Sequence, residues 1–188
     1  SVKYGFRVPP GACWINYARC HDDIGWGLNE NIIKALGFDP AAHKQFLISF
    51  YKGDHSFSFA RGELYEFNPE TLDARNSGSL ASLAGLEAAL ELKDQYQREL
   101  AIKRILLVHG QLLAESGIPL IYSGDELATL NDYSYKNDPK KAHDSRWLHR
   151  PFFDWARAEN RHVAGSAEGQ VFSTLRQLAQ IRSTHEIF

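Results

Sequence analysis

Two short apolar runs and two long helical stripes stand out in the pattern of hydrophobic and polar positions. The first run, Cys13-Trp14-Ile15-Asn16-Tyr17-Ala18, has the length and composition of a buried β-strand. The second, Leu120-Ile121-Tyr122, predicts another short buried strand. Over Glu99–Ser116, the residues Leu100, Ile105, Leu106, His109, Leu112 and Leu113 fall on one side of a helix, which Gly117-Ile118-Pro119 ends. Over Gln170–Arg182, Val171, Leu175, Leu178 and Ala179 form a second inward face. Between these elements the periodicity weakens. Residues 1–12, with Pro9-Pro10-Gly11, read as a loop that delivers the chain into the first strand. Asn29–Leu36 and His43–Tyr51 predict short helices, Ser56–Ala60 alternates like a strand, and Ser77–Leu92 is Ala- and Leu-rich and helical. Residues 131–150 read as a polar loop.

The order is therefore strand, long insertion, helix, strand, loop, helix. Alternating strands and helices imply a parallel sheet. Two strands neither close a barrel nor bury both sheet faces, so the fold expected is α/β, about a quarter of a TIM (β/α)8 barrel with an inserted subdomain after one strand. The boundaries expected are 1–26 for the first strand and its loops, 27–95 for the insertion, which is too long for a plain connection, and 96–188 for the last helix-strand-helix units. The chain contains no Met at all, which suggests an internal segment of something longer.

Composition narrows the function classes. Apolar and charged fractions of 44% and 23% are those of an ordinary globular protein. A formal net charge of -2 gives no long-range pull toward nucleic acid or an anionic membrane, and neither is expected as a partner. No apolar run approaches the ~20 residues of a membrane span. The two cysteines, Cys13 and Cys20, would lie roughly 23 Å apart on an extended strand, which argues against an intrachain disulfide. Free thiols favour a cytoplasmic setting over a secreted one.

The candidate chemistry follows the first strand directly. His21-Asp22-Asp23 puts three ionisable side chains in a row where a buried strand ends. A parallel strand tolerates such a cluster only at its end, within reach of water or ligand, and in α/β barrels the C-terminal ends of the strands carry the active site. The alternative is a His/Asp-capped turn with no further role. The second strand closes on Ser123-Gly124-Asp125-Glu126, so both strands end in carboxylates.

Five ordered blocks, NYARCHDDIGW (16–26), SFARG (58–62), NPETLDAR (68–75), PLIYSGDELATLND (119–132) and HDSRWLHRP (143–151), resemble those of the amylosucrase and sucrose hydrolase group of the α-amylase superfamily. The resemblance covers about Asn16–Pro151, and it implies that this part of the TIM (β/α)8 barrel is its C-terminal portion. It implies a retaining enzyme that cleaves sucrose and transfers glucose to an α-1,4-glucan, with sucrose and a maltooligosaccharide acceptor as ligands, the upstream rest of the same barrel as partner, and no cofactor or metal. A sucrose hydrolase or α-glucosidase, and a non-catalytic carbohydrate- or partner-binding barrel relative, are the alternatives.

The same resemblance assigns roles. His21 and Asp22 match the pair that holds the glucosyl ring, Asp22 accepting from its 2- and 3-hydroxyls and supporting the transition state. Asp23 matches a contact on the leaving-group side. Arg75 matches an acceptor-site arginine, with Glu66 where Gln is usual. Arg146 matches the arginine that seals the pocket floor against a carboxylate elsewhere in the chain. Lys44 replaces an arginine that contacts longer acceptors, which puts long-glucan elongation in doubt. Each has a plainer reading: Arg146 as a surface arginine, Lys44 as a solvated lysine, His109 as a satisfied core histidine, Trp14 and Trp147 as packing. No residue here matches the nucleophile or the acid of that family.

Overall fold

Short polar side chains set the start of most helices in residues 8–185, the part of the chain that the computed structural model describes. β1 (Ile15–Tyr17) comes first. Asn29 then accepts from the amides of Asn31 and Ile32 and opens α1 (Glu30–Ala35). Asp39 caps α2 (Pro40–Lys52), where Pro40 sits in the first turn and no amide donor is needed, and Gly53 ends it at φ 97°. The hairpin β2 (Glu63–Tyr65) and β3 (Arg75–Ser77) follows, antiparallel, with Leu64 opposite Asn76. Ser79 caps α3 (Leu80–Leu83), and α4 (Leu86–Glu91) starts after Gly85. Asp94 caps the long α5 (Gln95–Ala114), which leads to β4 (Ile118–Leu120). Two 3-10 turns, Tyr133–Asn137 and Ser145–His149, order the polar loop. Asp154 caps α6 (Trp155–Ala158) and Ser166 caps α7 (Ala167–Thr184).

The hydrophobic core lies where α3, α4, α5 and α7 meet. Leu80, Ala81, Ala84, Leu86, Ala101, Ile102, Ile105, Leu113, Val171 and Leu175 form one buried cluster. Residues 80–86 therefore share a core with the two long helices, while residues 40–77 gather around α2 and the hairpin. Removing water from these apolar surfaces is the main stabilising term, roughly 25 cal/mol per Å² buried.

β1 and β4 pair in parallel, Ile15 with Ile118 and Tyr17 with Leu120. The parallel pairing agrees with the alternation of elements. The expected burial does not hold: Ile15, Tyr17, Ile118 and Leu120 are 60%, 57%, 54% and 45% exposed. Each strand has the other as its sole strand neighbour among the described residues, so its outer edge stays bare. The second strand also starts earlier than expected, at Ile118, and ends before Ile121-Tyr122.

Three further expectations change. Ser56–Ala60 is not a strand. Its Phe57 and Phe59 instead join Phe46, Phe50 and His55 in an aromatic cluster on α2, with Phe50 edge-on to Phe59 at 5.1 Å. The single helix expected over Ser77–Leu92 breaks in two at Gly85, whose φ of 103° is left-handed and whose Cβ would stand 3.1 Å from that of Phe59. Ala179, expected inward on α7, is exposed.

Candidate functional site

The His21-Asp22-Asp23 turn leaves the C-terminal end of β1 and is pinned from three sides. Just before it, the buried Arg19 donates from Nη2 to the carbonyl of Gly78 at 2.8 Å. Just after it, Ile24 bridges antiparallel to Asn76 through two backbone hydrogen bonds of 2.8 and 3.1 Å. Asn76 is fully buried and accepts from the Trp26 indole at 2.8 Å while donating to the carbonyl of Ile48 at 3.0 Å. The third anchor comes from the far end of the chain. The carbonyl of His21 accepts from Arg150 Nε at 2.6 Å and from His149 Nε2 at 3.1 Å. Because His149 Nδ1 accepts the Gly78 amide at 3.2 Å, its single proton is on Nε2. Burial, reinforced by the Arg19 charge, holds the His149 pKa down at about 3, so the ring is the neutral donor that this geometry needs.

With the backbone fixed, the side chains of His21 and Asp22 face outward into a belt of charges and that of Asp23 is buried against it. His21 Nε2 lies 3.5 Å from Asp22 Oδ1. The same Asp22 oxygen is 3.5 Å from Arg150 Nη2 and 4.0 Å from Arg146 Nη1. Asp23, whose side chain is only 8% exposed, lies 3.6 Å from Arg75 Nε, and Arg75 Nη1 lies 3.3 Å from Glu66. Thus His21, Asp22, Asp23, Arg75, Glu66 and Arg146 converge from four segments of the chain. Lys44 sits in the adjoining groove of about 540 Å³, lined also by Trp26, Glu66, Asp73 and Arg75. Two hollows of about 600 and 630 Å³ are no smaller, but neither is lined by Lys44 or Arg75.

Two ion pairs add partners that the sequence did not name. Arg146 pairs with Asp144, two residues away, through Nε and Nη2 at 2.9 and 2.8 Å, besides its longer approach to Asp22. The 3-10 turn that Asp144 caps brings both side chains to one side, and the guanidinium rests 4.4 Å from the centre of the Tyr65 ring. The bidentate contact holds the Asp144 carboxyl below the usual range. Lys44, its side chain 31% exposed, straddles the carboxylate of Asp73 at 2.7 and 2.8 Å and lowers the Asp73 pKa.

Beside the turn lies a set of buried groups. Asp125 and His109 are 6% and 1% exposed, with Asp125 Oδ2 and His109 Nε2 4.0 Å apart and neither atom otherwise bonded. His109 Nδ1 donates to the carbonyl of Ile105 at 3.0 Å, so Nε2 carries a lone pair toward Asp125. Burial raises the Asp125 pKa to about 7, against the pull of Arg19. Arg19, Tyr122, Asp125 and His149 line one small void of about 10 Å³. Glu126, by contrast, accepts the Gly124 amide at 2.8 Å and serves its own turn.

Arg19, Asp144, His149 and Arg150 were not singled out from the sequence, although all four lie inside the five blocks. Of the four, only His149 has a sequence signal of its own, a polar residue directly after the buried Leu148. Trp147 packs under Lys141 and Arg150, at 4.5 and 5.8 Å from its ring centre. Cys20, a free thiol, joins His21 and Asp22 in the one group of His, Cys, Asp and Glu donors, among the described residues, close enough to hold a metal ion. No helix among the described residues is long and apolar enough to cross a membrane.

No family model matches the chain.

Chemically, the turn offers an imidazole and a carboxylate on a fixed backbone, with cations on one side and a polar groove on the other. Such an arrangement accepts hydrogen bonds from neighbouring hydroxyls and stabilises positive charge that develops next to it.

Proposed function

We propose that this chain is the C-terminal part of the (β/α)8 catalytic barrel of an amylosucrase-like enzyme, which cleaves sucrose through a glucosyl-enzyme and passes glucose to an α-1,4-glucan. One observation carries the reading. The exposed His21-Asp22 pair stands at the C-terminal end of a parallel strand, where barrel enzymes hold their catalytic groups, and Arg146 from a far later block lies 4.0 Å from Asp22. In this reading Asp22 accepts from two adjacent ring hydroxyls, and His21 positions the ring beside it. These contacts tighten as the ring flattens toward an oxocarbenium ion, so they lower the barrier rather than merely holding substrate. The Arg146–Asp144 pair walls the glucosyl pocket, and the Lys44, Glu66 and Arg75 groove takes the acceptor. The nucleophile and acid come from strands outside this chain.

A second reading, hydrolysis of sucrose with water as the acceptor, is favoured by one feature. Lys44 is bound to Asp73, which leaves its ammonium committed rather than free for a long glucan.

The test is Asp22→Asn in the full-length enzyme. The expected result is a fall in kcat of about 10³-fold with little change in KM, as for loss of a pre-organised charge that acts in the transition state. An unchanged kcat would reduce the turn to a structural cap.

A further inference from the structure

We propose that Cys20, His21 and Asp22 form a binding site for a divalent cation of the zinc class. One sulfur, one imidazole nitrogen and one carboxylate oxygen lie within 4.8 Å of one another. That donor set suits a borderline-soft ion such as Zn²⁺ and is wrong for Mg²⁺ or Ca²⁺, which want oxygen alone. Tetrahedral zinc with bonds of about 2.0–2.3 Å needs its ligand atoms about 3.3–3.7 Å apart. His21 Nε2 and Asp22 Oδ1 already stand at 3.5 Å. The rest of the closure is side-chain rotation, and it is unobstructed, since the side chains of His21 and Asp22 are 68% and 53% exposed.

The backbone beneath them does not have to move. The carbonyl of His21 is held by Arg150 and His149, and Ile24 is locked to Asn76 on the next strand. The ion therefore orders three side chains on a prepared turn, not a loop. The amide of Asp22 points at Cys20 Sγ, at 3.5 Å, which keeps the sulfur on the same side of the turn as the other two donors. Arg146 and Arg150 oppose a cation here, since they lie 4.0 and 3.5 Å from the same Asp22 Oδ1 that faces His21, and the ion competes with them for that oxygen. A thiolate and a carboxylate together neutralise the ion. Three protein ligands leave one position for water, so binding is exchangeable rather than structural.

The consequence for activity rests on the proposed function; the metal site itself does not. If His21 and Asp22 hold the glucosyl ring, an ion that engages both shuts the pocket, and Cys20 makes that inhibition zinc-selective.

Co²⁺ is the probe for the site. Titrating it into the 188-residue chain should give a thiolate-to-cobalt charge-transfer band that saturates at one equivalent and is displaced by Zn²⁺. The band should vanish in Cys20→Ser, weaken at least tenfold in affinity in His21→Ala, and persist in Cys13→Ser, which controls for the second thiol. Absence of the band from the native chain, or its survival in Cys20→Ser, overturns the site. In the sucrose-cleaving parent, Cys20→Ser should raise the inhibitory zinc concentration at least tenfold and leave kcat unchanged. A cobalt band without zinc inhibition would keep the metal site and remove the sugar from His21 and Asp22.

Discussion

A buried carboxyl facing an unprotonated imidazole nitrogen is stable only while the carboxyl keeps its proton, and Asp125 facing His109 is that case. Burial lifts Asp125 to about 7 from 3.8, Glu126 pushes it further and Arg19 pulls it back. The folded chain thus binds a proton that the unfolded chain has lost, so stability falls as pH rises from 3.8 through 7 and levels off above. A shift of that size is worth on the order of 4 kcal/mol. His149 and His109 act with the opposite sign, because burial depresses both, and their contribution is lost as pH falls below 6.5. Asp125→Asn should therefore raise the melting temperature at pH 8 and leave a profile that only declines on acidification. A variant with the native pH profile would show that Asp125 does not set it. Arg146→Ala in the full-length enzyme should lower kcat/KM on sucrose, keep or raise it on maltooligosaccharides, and lower the melting temperature by leaving Asp144 without its partner. Unchanged values on all three would make Arg146 a surface residue. Of these residues, the His-Asp-Asp turn was legible because three ionisable groups directly after an apolar run mark the end of a strand. The partner of Arg146 was not, since a 3-10 turn over Ser145–His149 has no hydrophobic period to announce it.

Between elements, one arginine does what no capping motif does. The last turn of α5 leaves carbonyls without helical partners, and Arg182 from α7 donates to those of Leu113, Glu115 and Gly117 at 2.5, 2.8 and 2.6 Å. Gly117 stands between helix and strand at φ 110°, and a Cβ there would meet the carbonyl of Trp14 at 2.6 Å. These contacts fix where β4 starts against β1. Arg182→Ala should cost about 2 kcal/mol, read as a lower melting temperature, since charge-assisted hydrogen bonds are among the stronger ones and three acceptors lose their donor. A loss under about 0.5 kcal/mol would mean that water replaces it freely. The two long helices were legible because 3.6-residue periodicity accumulates turn after turn along them. The strands were legible only as places. At three residues each, β1 to β4 are too short for alternation to show, and aromatic packing onto α2 outweighs it over Ser56–Ala60.

For the molecule as a whole, the exposed sheet decides what the chain does alone. Parallel strands belong in sheets covered on both faces, yet β1 and β4 present Ile15, Tyr17, Ile118 and Leu120 with bare outer edges, and Trp14 beside them is 47% exposed. That surface is what a fragment of a closed barrel would show where its neighbouring strands belong, which agrees with the proposed function. Alternation of strands and helices made the parallel pairing of β1 and β4 legible, but no local pattern announces that their residues stay exposed. Retaining hydrolysis needs two carboxyl groups about 5–5.5 Å apart across the scissile bond, one as nucleophile and one as acid. In the proposed function Asp22 is the stabilising carboxylate, and the other acids of its belt are paired: Asp23 and Glu66 with Arg75, Asp144 with Arg146. The chain alone should therefore not turn over sucrose. The measurement is fructose release by the purified 188-residue chain against its His21→Ala/Asp22→Asn double variant, with both signals expected at background. Release above that control would place a complete catalytic pair within this chain and end the barrel-fragment reading.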